Sequence, residues 1–118
     1  MKIAVVGSRE YPNVERVREF IKQLPENATI VSAGKLGVDT LAFKAALYYG
    51  RRTKVFRCNS NRNGRNGMSL NDQKIVDYAD EVYIFWDGQP DPKLTAFREE
   101  AKRLGKLAKV YRPAHLVS

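Results

Sequence analysis

Short apolar runs alternate with longer amphipathic segments along the chain, and this alternation restricts the fold more than any other feature. The first run, Ile3 to Val6, is continuous and ends at Gly7, which is typical of a strand buried on both faces of a parallel sheet. Each later run is also short and is followed by a turn or a helical pattern. The pattern predicts five strands at Ile3–Val6, Ala28–Ala33, Thr53–Phe56, Glu81–Trp86 and Leu107–Tyr111.

Four helical segments separate these strands, and residues at their ends support them. Asn13 can cap the first helix, Gly50 suits the end of the second, and Ser69 can cap the third. Asp91 followed by proline is a strong start for the fourth. We therefore predict an α/β fold with three layers, in which a Rossmann-like, doubly wound, parallel sheet of five strands has the order 3-2-1-4-5. Its ligand crevice is expected at the carboxyl ends of strands one and four.

The length and composition indicate one domain, residues 1–118, in a cytoplasmic protein. A chain of 118 residues is an ordinary domain size, and its apolar runs are too short for a signal peptide or a transmembrane span. Cys58 is the single cysteine and His115 the single histidine. No disulfide within the chain, no Cys/His metal cluster and no histidine-based catalytic pair is therefore expected, and neither is a cofactor.

Most of the positive charge lies in one segment. The formal net charge is +8, and residues 51–67 contain six basic residues and no acidic one, which leaves the remainder at only +2. Such a run either is a solvated face or lies against a negative partner. Arg57, Arg62 and Arg65 are the candidates for contact with a phosphate backbone. The segment has no aromatic residue beyond Phe56 on which bases could stack.

The loops that follow the strands carry residues suited to anionic ligands. After the first strand, Gly7 permits close approach to the backbone, Ser8 offers a hydroxyl and Arg9 offers a guanidinium. After the second strand, Gly34, Lys35 and Gly37 lead into a helix. The free N–H groups at a helix start can bind a phosphate.

Several polar residues at the same edge have two interpretations each. Asp39 is either a favourable charge in the first helical turn or an acceptor for sugar hydroxyls. Thr95 can donate to a phosphate or bond within its own helix, and Asn71 has the same ambiguity. Asp87 follows the fourth strand, so that Asp39 and Asp87 are the candidate catalytic carboxylates.

In their order and spacing, these loops resemble the SLOG superfamily, and within it the YspA-like branch. Gly7, Ser8 and Arg9 match its opening motif, Ala33–Asp39 matches its second loop with alanine for the first glycine, and Phe85–Gly88 matches its fourth strand end. Asn71 also matches. The resemblance implies a Rossmann-like fold, a nucleotide-derived ligand and a homodimer, and it links the chain to the DNA-processing protein DprA and to the LOG phosphoribohydrolases.

Two departures from the family pattern affect the expected ligand site, and a third, at Arg98, weakens the enzymatic implication. Leu94 replaces a glycine before Thr95, Leu70 replaces an arginine, and Arg98 stands where the LOG enzymes have a glutamate. The leading hypothesis is therefore binding, and conceivably sensing, of a nucleotide or nucleotide-derived phosphorylated ligand, without membrane contact. Two alternatives stay open: hydrolysis of the N-glycosidic bond of a nucleoside monophosphate, and nucleic-acid binding as in DprA through residues 51–67.

Overall fold

The computed structural model describes residues 1–33, 37–56 and 69–112. In them, five strands alternate with four helices, and each predicted strand is present with ends that differ by at most one residue. The elements are β1 (Lys2–Gly7), α1 (Val14–Gln23), β2 (Thr29–Ser32), α2 (Val38–Tyr48), β3 (Arg52–Val55), α3 (Leu70–Tyr78), β4 (Glu81–Phe85), α4 (Pro92–Arg103) and β5 (Leu107–Tyr111).

All five strands form one parallel sheet with the order β3-β2-β1-β4-β5. The central strand β1 pairs with β2 on one side and with β4 on the other, so that Ile3 lies opposite both Ile30 and Glu81. The strand order reverses direction between β1 and β4. The predicted fold class and strand order are confirmed, and the predicted crevice lies where the order reverses.

The sheet is covered on both faces because successive side chains of a strand point to opposite sides. In β1, Ile3 and Val5 pack with α1 and α2, whereas Ala4 and Val6 pack with α3 and α4. Tyr83 and Phe85 of β4 pack on the α1 and α2 side, whereas Trp86, which follows β4 and is 6% exposed, packs on the α3 and α4 side. The molecule is therefore a three-layer α/β/α sandwich. No helix in the described residues combines the length and the apolar character needed to cross a membrane.

Local hydrogen bonds explain where three of the helices begin. The Asn13 side chain accepts the backbone N–H of Arg16 at 3.1 Å, and the Ser69 hydroxyl oxygen accepts the N–H of Asp72 at 3.1 Å. Asp91 accepts two N–H groups of the first turn of α4. These are the caps that the sequence predicts, and they satisfy N–H groups that have no partner within a helix.

Arg51 has a structural role that the charge run did not indicate. Its guanidinium donates to the carbonyl oxygens of Tyr49, Lys22 and Leu24 at 2.8, 3.0 and 2.8 Å. It therefore closes the C-terminal end of α1 against the turn before β3. Arg51 is thus part of the fold at the amino edge of the sheet, directly before β3.

Candidate functional site

Ser8 joins the loops that follow β1 and β4. Its backbone N–H donates to the Phe85 carbonyl at 2.9 Å, and its hydroxyl oxygen accepts the backbone N–H of Asp87 at 2.9 Å. The residue is only 3% exposed. The two loops at the point where the strand order reverses are therefore held together by one small polar side chain.

Gly7 is required by the packing at this point. A β-carbon at Gly7 would lie 2.2 Å from the carbonyl oxygen of Phe85 and 2.8 Å from a methyl group of Val38. Neither the backbone of a central strand nor the start of a packed helix can move aside easily. The absence of a side chain lets β1, β4 and α2 meet closely.

The start of α2 lies against the loop after β1. Gly37 precedes the helix with φ +90°, and a β-carbon there would lie 2.5 Å from both the Cα and the carbonyl oxygen of Arg9. The N–H of Val38 donates to the Ser8 carbonyl at 3.3 Å. No side chain caps this helix. Its positive end therefore faces the crevice beside Arg9.

A shallow cleft of about 190 Å³ opens at this junction. Its lining combines one guanidinium with carboxylates and a backbone loop. The Asp87 carboxylate accepts the backbone N–H of Gln89 at 2.9 Å, which shapes the loop after β4. The lining residues are Ser8, Arg9, Glu10, Asp87, Gln89, Pro90 and Asp91.

Of the predicted site residues that the structure describes, five meet at this junction and three are used elsewhere. Gly7, Ser8, Arg9, Gly37 and Asp87 are held together by the contacts above. Asp39 is buried at 6% exposure in the first turn of α2 and does not line the cleft. Thr95 is exposed and donates to the Asp91 carbonyl at 3.0 Å, and the Asn71 amide donates to the Phe56 carbonyl at 2.7 Å.

The remaining predicted site residues lie outside the described residues. Gly34 and Lys35 belong to residues 34–36, and Arg57, Arg62 and Arg65 belong to residues 57–68. The contacts of the second loop and of the basic segment beyond Phe56 are therefore not part of the described site. Among the described residues, no three Asp, Glu, His or Cys side chains are grouped so that they could hold a metal ion.

Sequence reasoning missed several residues at this edge. Glu10 and Gln89 line the cleft, and they lie one and two residues after the predicted site residues Arg9 and Asp87. Their place in the same loops was the signal that could have identified them. Arg112 lies near Trp86, with its guanidinium carbon 5.8 Å from the ring centroid. That contact joins the residues that follow β4 and β5, and no local sequence pattern predicts it.

Comparisons of the chain with protein-family models, with curated proteins and with solved structures give no match. The site is therefore interpreted from its own geometry.

Proposed function

We propose that the chain binds a nucleotide or a nucleotide-derived phosphorylated ligand in the cleft between the β1 and β4 loops. The observation that carries this proposal is the convergence of Ser8, Arg9 and Gly37 at the point where the strand order reverses. In open parallel α/β sheets, ligands bind at this position.

The positive groups at the cleft favour an anionic part of the ligand. Arg9 is exposed and makes no hydrogen bond or ion pair with the residues that the structure describes. The start of α2 lies behind Arg9, with Gly37 against the Arg9 backbone, and adds the positive end of a helix dipole to this side of the cleft. A phosphate bound to the Arg9 guanidinium would also lie near the positive end of this helix, which is a favourable arrangement.

The acidic groups of the same cleft favour a polyhydroxylated part. Glu10, Asp87 and Asp91 line the cleft together with Arg9, and carboxylate oxygens accept hydrogen bonds from hydroxyl groups. Inorganic phosphate would be repelled by three carboxylates, whereas a ribose phosphate can meet both kinds of group. The resemblance of these loops to the SLOG superfamily supports the same class of ligand.

Trp86 provides an internal reporter for binding. It is the only tryptophan of the chain, and its indole N–H donates to the carbonyl oxygen of Gln89, which lines the cleft, at 2.8 Å. The test uses a panel of single compounds: AMP, ADP, cyclic nucleotides, NAD and ADP-ribose. We expect at least one of them to change Trp86 fluorescence and to raise the melting temperature of the protein. A ligand at 100 times its dissociation constant stabilises the fold by about 2.7 kcal/mol. If no member of this panel has either effect, the proposal is wrong.

Arg9→Ala tests whether the binding occurs in this cleft. The variant removes a charge-assisted contact with phosphate, so that the dissociation constant should rise about tenfold. Arg18→Ala is the matched control, because it removes an exposed arginine of α1 that pairs only weakly with Glu15 on the helix surface. Equal affinities of the two variants, measured by titration calorimetry, would place the ligand elsewhere.

A further inference from the structure

Two arginine side chains lie against the same aromatic ring beside the cleft. The guanidinium carbons of Arg98 and Arg112 are 5.4 and 5.8 Å from the centroid of the Trp86 ring. Arg98 belongs to α4, and Arg112 directly follows β5. Two like charges therefore lie close to a ring that is 6% exposed, next to the loop that forms one wall of the cleft.

The backbone of Arg112 is held in place by the fold, and one N–H group of Arg98 donates to a surface carboxylate. The backbone carbonyl of Arg112 accepts hydrogen bonds from the Tyr11 hydroxyl and from Arg16, which fixes the chain at this point. The Arg112 side chain is exposed and forms no ion pair with the described residues. Arg98 contacts Glu99 at 3.1 Å on the surface, where such a pair contributes little.

A guanidinium that lies over an aromatic face still has N–H groups at its edge. These N–H groups can donate to two oxygens of one phosphoryl group. Contact with the ring already restricts the arginine side chain, so that less conformational entropy is lost when the phosphoryl group binds. Two such groups at one ring repel each other in the absence of an anion. An anion between or beside them would relieve this repulsion.

We propose that Arg98 and Arg112 form a second anion-binding position, and that the ligand is a nucleotide with more than one phosphoryl group. This inference rests on the proposed function, because it assigns the first phosphoryl group to the cleft beside Arg9. The Trp86 indole connects the two positions, since its N–H is bonded to the cleft residue Gln89. A nucleoside diphosphate carries one phosphoryl group for each position, whereas a nucleoside monophosphate carries only one.

The test compares AMP with ADP by titration calorimetry on the full chain. Wild type should bind ADP about tenfold more tightly than AMP, and Arg112→Ala should remove this preference while changing the affinity for AMP by less than about twofold. Arg98→Ala should act in the same direction. Arg112→Lys should restore only part of the preference, because an ammonium group lacks the planar pair of donors. Lys102→Ala, which removes an exposed charge from α4, is the control and should leave both affinities unchanged.

The outcomes separate this inference from the proposed function. If wild type binds AMP and ADP equally and Arg112→Ala changes neither affinity, the cleft binds nucleotides but the second position is rejected. If Arg112→Ala weakens AMP and ADP equally, Arg112 contacts the only phosphoryl site, and the second position is again rejected. If wild type binds neither nucleotide and no other member of the panel, both proposals fail. Circular dichroism of the Arg112→Ala variant should match wild type, since only the backbone of Arg112 is hydrogen-bonded in the fold.

Discussion

The two edges of the sheet use their charged side chains in different ways. At the amino edge, Arg51 and Lys106 donate to backbone carbonyls at the C-terminal ends of α1 and α3, and Asp80 accepts the backbone N–H of Lys2. At the carboxyl edge, Arg9 is exposed and bonds to no described residue. Arg51, Lys106 and Asp80 are thus satisfied within the fold at the amino edge, whereas Arg9 at the carboxyl edge has no partner among the described residues.

The direction of the helices explains this difference. In a parallel α/β sheet every helix runs opposite to the strands, so that helix C-termini with unsatisfied carbonyls meet at the amino edge. Cations find acceptors there. Helix N-termini meet at the carboxyl edge and present N–H donors, so that the helix ends there offer no carbonyl acceptor to Arg9. Arg51 and Arg9 therefore differ in what the neighbouring helix end offers them, which is carbonyl acceptors for Arg51 and N–H donors for Arg9.

The largest effect is expected where the carboxyl edge is most tightly packed. Gly7→Ala would place a methyl group 2.2 Å from the Phe85 carbonyl oxygen, and relief requires movement of a central strand. We expect a loss of more than about 3 kcal/mol in the free energy of unfolding, measured by urea denaturation. Because the Ser8 N–H donates to the same Phe85 carbonyl, the substitution also weakens the contact between the ends of β1 and β4.

Gly105→Ala is the matched control at the amino edge. Gly105 has φ +71°, but a β-carbon there would meet nothing within 4 Å. Only the backbone conformation is strained, at a cost of about 1–2 kcal/mol. Similar losses for Gly7→Ala and Gly105→Ala would show that close packing is not what distinguishes the carboxyl edge.

Arg51 and Arg9 provide the most direct comparison of the two edges. Arg51→Ala removes three hydrogen bonds to carbonyl groups and should lower the free energy of unfolding by about 2 kcal/mol. Arg9→Ala should change it by less than about 0.5 kcal/mol, because an exposed side chain without partners contributes little. Chemical denaturation of both variants measures the difference. A larger loss for Arg9→Ala would contradict the interpretation of Arg9 as a ligand-binding residue.

The fold was predictable because its signals are local. A continuous apolar run identifies β1, and capping residues such as Asn13, Ser69 and Asp91 stand directly before the helices that they start. Strand order followed from the right-handed connection of parallel strands. None of these inferences needs a contact between distant residues.

The candidate site was predictable only in part, since its contacts join distant residues. Glycine at position 7 and position 37 could be recognised, but the clash that each avoids involves Phe85 or Arg9. Asn71 could be identified as a polar residue at a helix start, whereas its bond to the Phe56 carbonyl depends on how α3 packs beside β3. The charge pattern likewise grouped Arg51 with the basic segment, although its partners are the carbonyl oxygens of Lys22, Leu24 and Tyr49.

The smallest predicted effect is a pH dependence at the amino edge. The backbone N–H of Lys2, and secondarily its charge, lower the pKa of the exposed Asp80 carboxyl from its ordinary value. A lowered pKa in the folded state stabilises the fold above the unfolded-state pKa, and this contribution is lost as the pH falls below about 4. Asp80→Asn keeps an oxygen acceptor but not the charge, so that its melting temperature should fall less steeply with acid than that of wild type. Lys2→Ala keeps the backbone donor and should retain most of the wild-type dependence. If Asp80→Asn and wild type have parallel pH profiles, Asp80 contributes nothing through its charge, and the charges of the amino edge are not all used by the fold.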